Sequence, residues 1–307
     1  MNFERELISY KMKTIDELNY EYDRVWAQYK VDRYSDAVTF QLQSYLDASY
    51  LKASTTANEL IPHHVFLMEK ATGTLLLFYF FVNRGPCDIQ KTAYLGQLAR
   101  AVNCLICIRD LIFKGFEETA RPVTRNYLEA LDISVACFIS SDFSERLSGE
   151  DSLDFDKLWP KEIAYGKIYK FLEEACKIAG HPDDSIEEHI KIRKEIKSIL
   201  SASVHSDDFG AFRSMAPTPL GMPEMISTMP HGVINNHAPS HISMVIGETF
   251  KYLTLIINCM MSKDFKNFHR LDFDGPLHQS FISSFAAFQE LISEIDLPET
   301  IETPSRG

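Results

Sequence analysis

The chain has 307 residues, 45% apolar and 24% charged, enough for one large domain or two modest ones around a sizeable core. A formal net charge of -12 and an isoelectric point near 5.3 give an average field that repels phosphate, so any nucleic-acid contact needs a local basic patch. No GxxxxGK[ST], GxGxxG, GxSxG or HExxH stretch occurs, which leaves phosphate-loop, dinucleotide, serine-hydrolase and zincin chemistry without sequence support.

The first readable element is "TIDELNYEYDRVWAQYK", where Thr14 and Glu17 stand at capping-box spacing and a helix is expected to about Tyr29. In residues 36–46, Val38, Phe40 and Leu42 alternate like a strand, whereas Leu42, Tyr45, Leu46 and Tyr50 keep helical spacing; helix is the reading adopted. Residues 60–83 place Pro62 at a helix start and Gly73 in the middle. They read either as a helix interrupted at Gly73 or as a helix followed by a short buried strand over 74–82. The run Leu75 to Val82 is the most apolar of the chain but far shorter than the roughly 20 residues of a spanning helix, so no membrane partner is expected.

From Asp88 to Gly115 an apolar stripe of Ile89, Leu95, Leu98, Val102, Leu105 and Ile112 ends at a glycine cap. After a short turn, "ARPVTRNYLEALDISVAC" (120–137) continues as an antiparallel neighbour. Pro160 is expected to start a helix running to Gly180. The next helix opens on acidic residues and is expected to turn Ile192, Ile196, Ile199 and Leu200 inward. Residues 206–240 hold most of the proline and glycine punctuation and read as a lid packed over the bundle. Two helices, from about Ser240 to Ser262 and from about Pro276 to Ile295, close the fold.

The expected fold class is therefore all-α: a bundle of four or more core helices over residues 85–296, an N-terminal helical segment over 1–84 packed on it, and an acidic tail at 297–307. Cys87, Cys104, Cys107, Cys137, Cys176 and Cys259 lie mostly in apolar runs and no secretory signal is read at the N-terminus, so a reduced, cytoplasmic protein is expected. The Cys104–Cys107 CxxC reads as mid-helix core packing, with no second CxxC to complete a zinc site.

The helix at 120–137 sets the functional question, because an unpaired charge out of water is costly and this helix carries four ionisable residues among apolar ones. Arg121, Arg125 and Glu129 fall at i, i+4 and i+8 on one stripe, with Asp132 at its edge. The stripe reads either as an intrahelical pair under a wet edge or as one wall of a pocket facing "ILSASVHSDDF". There Ser201 precedes His205 by one turn, and Asp207 and Asp208 follow. A histidine at a helix C-terminus beside carboxylates is favoured as a cation, which makes His205 a candidate proton carrier.

Residues 88–210, carrying Arg125-x-x-x-Glu129 and Ser201-x-x-x-His205, resemble an uncharacterised family of bacterial helical proteins related in layout to the HEPN-like bundles of toxin and phage-defence systems. The resemblance implies a mostly helical bundle, often a homodimer, with Arg125, Glu129 and His205 drawn to one polar pocket. It does not transfer an activity, because catalytic HEPN ribonucleases carry an arginine four to six residues before a histidine on one helix. No such pair occurs here, and Arg193 is too distant from His205.

Were phosphodiester cleavage the reaction, His205 would serve as general acid or base, Arg125 would stabilise phosphate charge and Glu129 would hold the arginine, with no metal or other cofactor required. Arg100, Arg121, Ser201 and Asp207 are the expected substrate contacts, and RNA or a nucleotide the expected ligand. Two other readings stand beside this. His237 and His241, with Glu129 and His205, form a possible ligand set for a divalent ion. The third is non-enzymatic dimerisation or partner binding through Met244, Phe250, Leu255 and Met260.

Overall fold

The computed structural model describes residues 16, 17, 20, 24, 42–148, 159–204, 217–222, 224–227, 231–262, 271 and 273–295; the side chains of Leu42 and of residues 202–204 are not part of that description. Of the helix expected from Thr14 to Tyr29, only Asp16, Glu17, Tyr20 and Arg24 lie within the described residues, all helical; the 297–307 tail lies outside them.

The described residues form α1 (Leu42–Leu60), α2 (Pro62–Val82), α3 (Ile89–Phe113), α4 (Glu117–Ile139), α5 (Ser141–Leu147), α6 (Tyr169–Ile178), α7 (Asp183–Val204), α8 (Ala238–Met261) and α9 (Pro276–Glu294). The fold is all-α. No strand occurs among the described residues, and the sole bridge pairs Pro219 with Asn235. The chain divides into compact units at Met1–Asp47 and Ala48–Gly307.

Local signals account for the boundaries. The Asp88 side chain accepts the Lys91 amide at 2.7 Å and starts α3. Gly115 ends it in the left-handed region at φ 82°. There a Cβ would come within 2.5 Å of the Val233 nitrogen, so only glycine lets the 231–233 segment sit against this turn. The antiparallel α3–α4 pair is tied at its far end by Gln90, whose amide donates to the carbonyls of Cys137 at 2.9 Å and Phe138 at 3.0 Å.

Three local expectations are corrected. α2 runs unbroken through Gly73, because a single interior glycine costs only about 1 kcal/mol against the burial of Leu67, Met68, Leu75, Phe78 and Phe81. The helix expected from Pro160 to Gly180 is broken: Trp159–Ile163 forms a wide π-turn, Tyr165 and Gly166 take left-handed backbone, and regular helix begins at Tyr169. On α7, Ile192 lies outward and Ile199 is 63% exposed, while Ile186, Arg193 and Leu200 face in. The buried carboxylates of Asp132 and Glu248 draw Arg193 inward and set that register.

α4 sits centrally, packed against α3, α6, α7 and α8, while α2 packs on α3, α8 and α9. Leu255 is buried and Met244, Phe250 and Met260 pack on the core, with Phe250 stacked on Phe285 of α9 at 5.8 Å, so the surface expected to receive a partner is covered by the chain itself. α2 and α8 are long and apolar enough to cross a membrane by length and composition, at mean hydropathy 1.6 and 1.2, and half of each apolar window is buried inside the fold. The run from Leu75 to Val82 gave a shorter reading because the flanking residues extend its helix to 21 residues.

The described part of the expected lid packs on the bundle. Leu220 donates to the Ile234 carbonyl at 2.7 Å, Gly232 to that of Lys114 at 3.2 Å, and the Leu220 and Ile234 side chains are buried. Cys104 and Cys107 are mid-helix, but Cys107 is exposed and Cys104 half-buried, because the CxxC lies on the edge of the α3 stripe rather than in the core.

Candidate functional site

α4 carries two ionic clusters. At its N-terminal end Glu117 accepts from Arg121 at 2.9 Å, and Arg121 lies 3.4 Å from Glu118. His241, one turn into α8, bridges across with both ring nitrogens: Nδ1 is 3.0 Å from Glu117 Oε1 and Nε2 is 2.8 Å from the Thr124 hydroxyl, which also reaches the Ala120 carbonyl. Burial alone would raise the Glu117 carboxyl, but the His241 hydrogen bond and the charges of His241 and Arg121 hold it well below the usual carboxylate range. The order carboxylate, imidazole, hydroxyl is that of a nucleophilic relay, yet Thr124 is fully buried, so no substrate reaches it. The cluster is a clasp between α4 and α8.

From Arg125 onward the same helix opens onto a cavity of about 470 Å³, within the span of about 300–1,000 Å³ common to small-ligand sites. One wall is Arg125, Glu129, Asp132 and Ile133 of α4; the second is Lys194, Lys197, Ser198 and Ser201 of α7; the third is the stretch from Trp159 to Tyr169. Arg125 donates to Glu129 at 3.2 Å and to the Ser201 hydroxyl, which itself donates to the Lys197 carbonyl at 2.6 Å. Its side chain remains 30% exposed, so the guanidinium is held in place but within reach of a ligand.

Beneath the cavity lies a buried ionic chain. Arg193, 3% exposed, lies 3.3 Å from Asp132 and 2.7 Å from Glu248; Lys197 reaches Asp132 at 2.7 Å and Lys251 reaches Glu248 at 2.9 Å. Burial alone would raise the Glu248 carboxyl, but Arg193 and Lys251 bring it below its ordinary value. These contacts leave Lys197 tied to Asp132, whereas Lys194 has no carboxylate partner among the described residues. Both ammonium groups stand 5.5 Å from the centre of the Tyr169 ring. Burial, followed by the Asp132 charge, pushes the Tyr169 phenol well above the usual tyrosine range, so it does not ionise near neutrality.

The third wall is braced. Glu162 is bound by Arg146 of α5 at 3.1 Å and Lys170 of α6 at 2.8 Å, and the Lys170 hydrogen bond, outweighing partial burial, lowers its carboxyl. Gly166, at φ 79°, lies against Tyr169, where a Cβ would meet the ring at 3.2 Å.

The structure thus brings together Arg125, Glu129 and Ser201 of the expected site. Asp132, a predicted edge residue of the stripe, joins them at the cavity. Arg121 is turned into the His241 clasp and Arg100 is exposed on α3, so neither lines the cavity: on α4 the Glu117 and Glu118 carboxylates one turn back capture Arg121. His205 and Asp207 lie outside the described residues. His241 is committed to Glu117, His237 is exposed and Glu129 pairs with Arg125, so this metal set is not assembled; no group of three potential ligands occurs among the described residues. Sequence reasoning missed Lys194, Lys197, Tyr165 and Tyr169. The i, i+4 spacing of Arg193 and Lys197 and the glycine inside "EIAYGKIYKF" were the available signals. Comparison with family models, curated proteins and solved structures returns no match.

Proposed function

We propose that the chain handles a nucleotide or single-stranded RNA, as the sequence resemblance of residues 88–210 to HEPN-like bundles suggests, and that it binds the ligand's phosphate in the cavity between α4 and α7. The observation that carries this reading is the composition of the cavity. In a chain of net charge -12, Arg125, Lys194 and Lys197 converge there against Glu129 and Asp132, three cations to two carboxylates, beside Trp159, Tyr165 and Tyr169. Local positive charge next to aromatic faces is the arrangement that binds unpaired nucleotides. The Ser198 hydroxyl also lines the cavity as a donor for a phosphate oxygen.

Binding is the better supported half of the reading. The described cavity wall contains no histidine, and its phenol at Tyr169 holds its proton. A cleavage step would take its proton carrier from His205, four residues after Ser201. Equilibrium dialysis with a 5′-phosphorylated hexanucleotide tests the proposal. Binding should weaken at least tenfold in the double variant Arg125→Ala, Lys194→Ala and fall with added salt; undiminished binding in that variant would remove the cavity from the function. Loss of RNA cleavage in His205→Ala with binding retained would make the protein a nuclease, and absence of cleavage in the parent protein would make it a binding protein.

A second reading, a non-enzymatic partner-binding protein, draws support from Met222, Met225 and Ile226, each at least half exposed in the loop before α8. Their removal should abolish a self-association measured by sedimentation if that reading is the correct one.

A further inference from the structure

We infer that Tyr165 is the base-stacking residue of this cavity, and that the ligand is consequently one with an unpaired nucleobase next to its phosphate; the inference rests on the binding reading above and deepens it. Tyr165 is the sole non-glycine residue with positive φ among the described residues, at φ 57° and ψ 28°. L-residues other than asparagine and aspartate avoid this region because Cβ crowds the following carbonyl. Such a conformation persists only where the surrounding structure imposes it.

Among the described residues nothing answers the Tyr165 side chain. Tyr165 is 94% exposed, and its ring and hydroxyl make no hydrogen bond, ion pair or ring contact among the described residues. Glycine, which stands at the next position, would satisfy the same turn without strain. A large aromatic ring held out in water at a strained position, at the rim of a cavity, has its contact partner in a bound molecule.

The surroundings identify the chemistry. The backbone at 165 is fixed on both sides, by Glu162 between Arg146 and Lys170 and by Gly166 seated on Tyr169, so the ring is presented from a rigid base. The Arg125 guanidinium lines the α4 wall, and the Lys194 side chain, from the α7 wall, reaches alongside Gly166 and Tyr169. An anionic group between those cations and a flat apolar ring against Tyr165 describe a nucleotide: phosphate on the α4–α7 side, base on the 159–169 side. A sugar phosphate would satisfy only the first half, and an apolar aromatic compound only the second.

Isothermal titration of the full chain with 5′-AMP, ribose 5-phosphate and 5′-phosphorylated hexaadenylate separates these. 5′-AMP should bind more tightly than ribose 5-phosphate by about 5- to 150-fold, the range of one base–aromatic stack. Tyr165→Ala and Tyr165→Gly should each erase that preference while leaving ribose 5-phosphate affinity unchanged, and Tyr165→Phe should retain it within about twofold, since stacking uses the ring and not the hydroxyl. The melting temperature of Tyr165→Gly should equal or exceed the parent's, as expected when a strained position becomes glycine; this separates a lost contact from a lost fold. Tighter binding of the hexanucleotide than of 5′-AMP would identify the end of a single strand as the ligand, and equal binding the free nucleotide. If 5′-AMP binds but Tyr165→Gly keeps the preference, the inference about Tyr165 is wrong while the cavity reading stands. If neither phosphate compound binds, the cavity reading falls and this inference with it.

Discussion

Helix α4 carries two ionic clusters, one built around Glu117 and Arg121 and the next around Arg125 and Glu129, each joined by an i, i+4 pair. Sequence spacing does not distinguish them. In the first, the charges are answered by His241, Thr124 and each other, and the cluster is sealed between α4 and α8. In the second, the facing elements are α7 and the 159–169 stretch, which meet imperfectly and leave a cavity with Lys194 unanswered by any described carboxylate. The same residue types make a clasp where helices close and a site where they do not. What decides is the shape of the opposing wall.

That contrast can be broken most severely at Arg193. Arg193→Ala leaves Asp132 and Glu248 buried without their shared cation, and should cost about 3–5 kcal/mol in urea unfolding. Arg125→Ala, at a partly exposed pair, should cost about 1 kcal/mol or less. Equal losses at the two positions would erase the distinction between buried scaffold and accessible site.

The clasp comes next. His241→Ala removes the shared partner of Glu117 and Thr124 and should destabilise by about 1–3 kcal/mol, again by urea unfolding. A smaller effect follows from pH. The Glu117 and Glu248 carboxyls are both held below their ordinary value of 4.5 in the folded state, so their stabilisation is complete above that pH. It is lost as pH falls below it, because the unfolded chain takes up protons first. The unfolding midpoint should therefore drop on acidification, and Glu117→Gln should make that drop shallower; an unchanged acid slope would mean that Glu117 is not held as an anion. Smallest of all, Lys194→Ala should leave stability within about 0.5 kcal/mol while weakening nucleotide binding, the combination expected of an exposed charge that serves a ligand.

Much of the scaffold could be read before any coordinates. Asp88 and Gly115 bound α3 because a cap and a left-handed turn are local matters, and Arg125 meets Glu129 because one helix carries both. The identity of the inward face of α7 was not readable in the same way: isoleucines at 192 and 199 suggested a greasy stripe, but Asp132 and Glu248, 61 and 55 residues from Arg193 in sequence, turn the arginine inward. The third wall was hidden for a different reason. Apolar periodicity from Pro160 to Gly180 looks helical throughout, and the left-handed pair Tyr165–Gly166 announces itself only by one glycine. Local rules reach as far as single helices, whereas the cavity arises from three segments that meet only in the fold.

The central claim is that this cavity takes a phosphate-bearing ligand, and the indole of Trp159 in its wall reports on that directly. In a Trp26→Phe background, which leaves Trp159 as the sole tryptophan, titration with 5′-AMP should give a saturable change in fluorescence that Arg125→Ala, Lys194→Ala abolishes. A flat titration, or one that the double variant reproduces, would contradict the account.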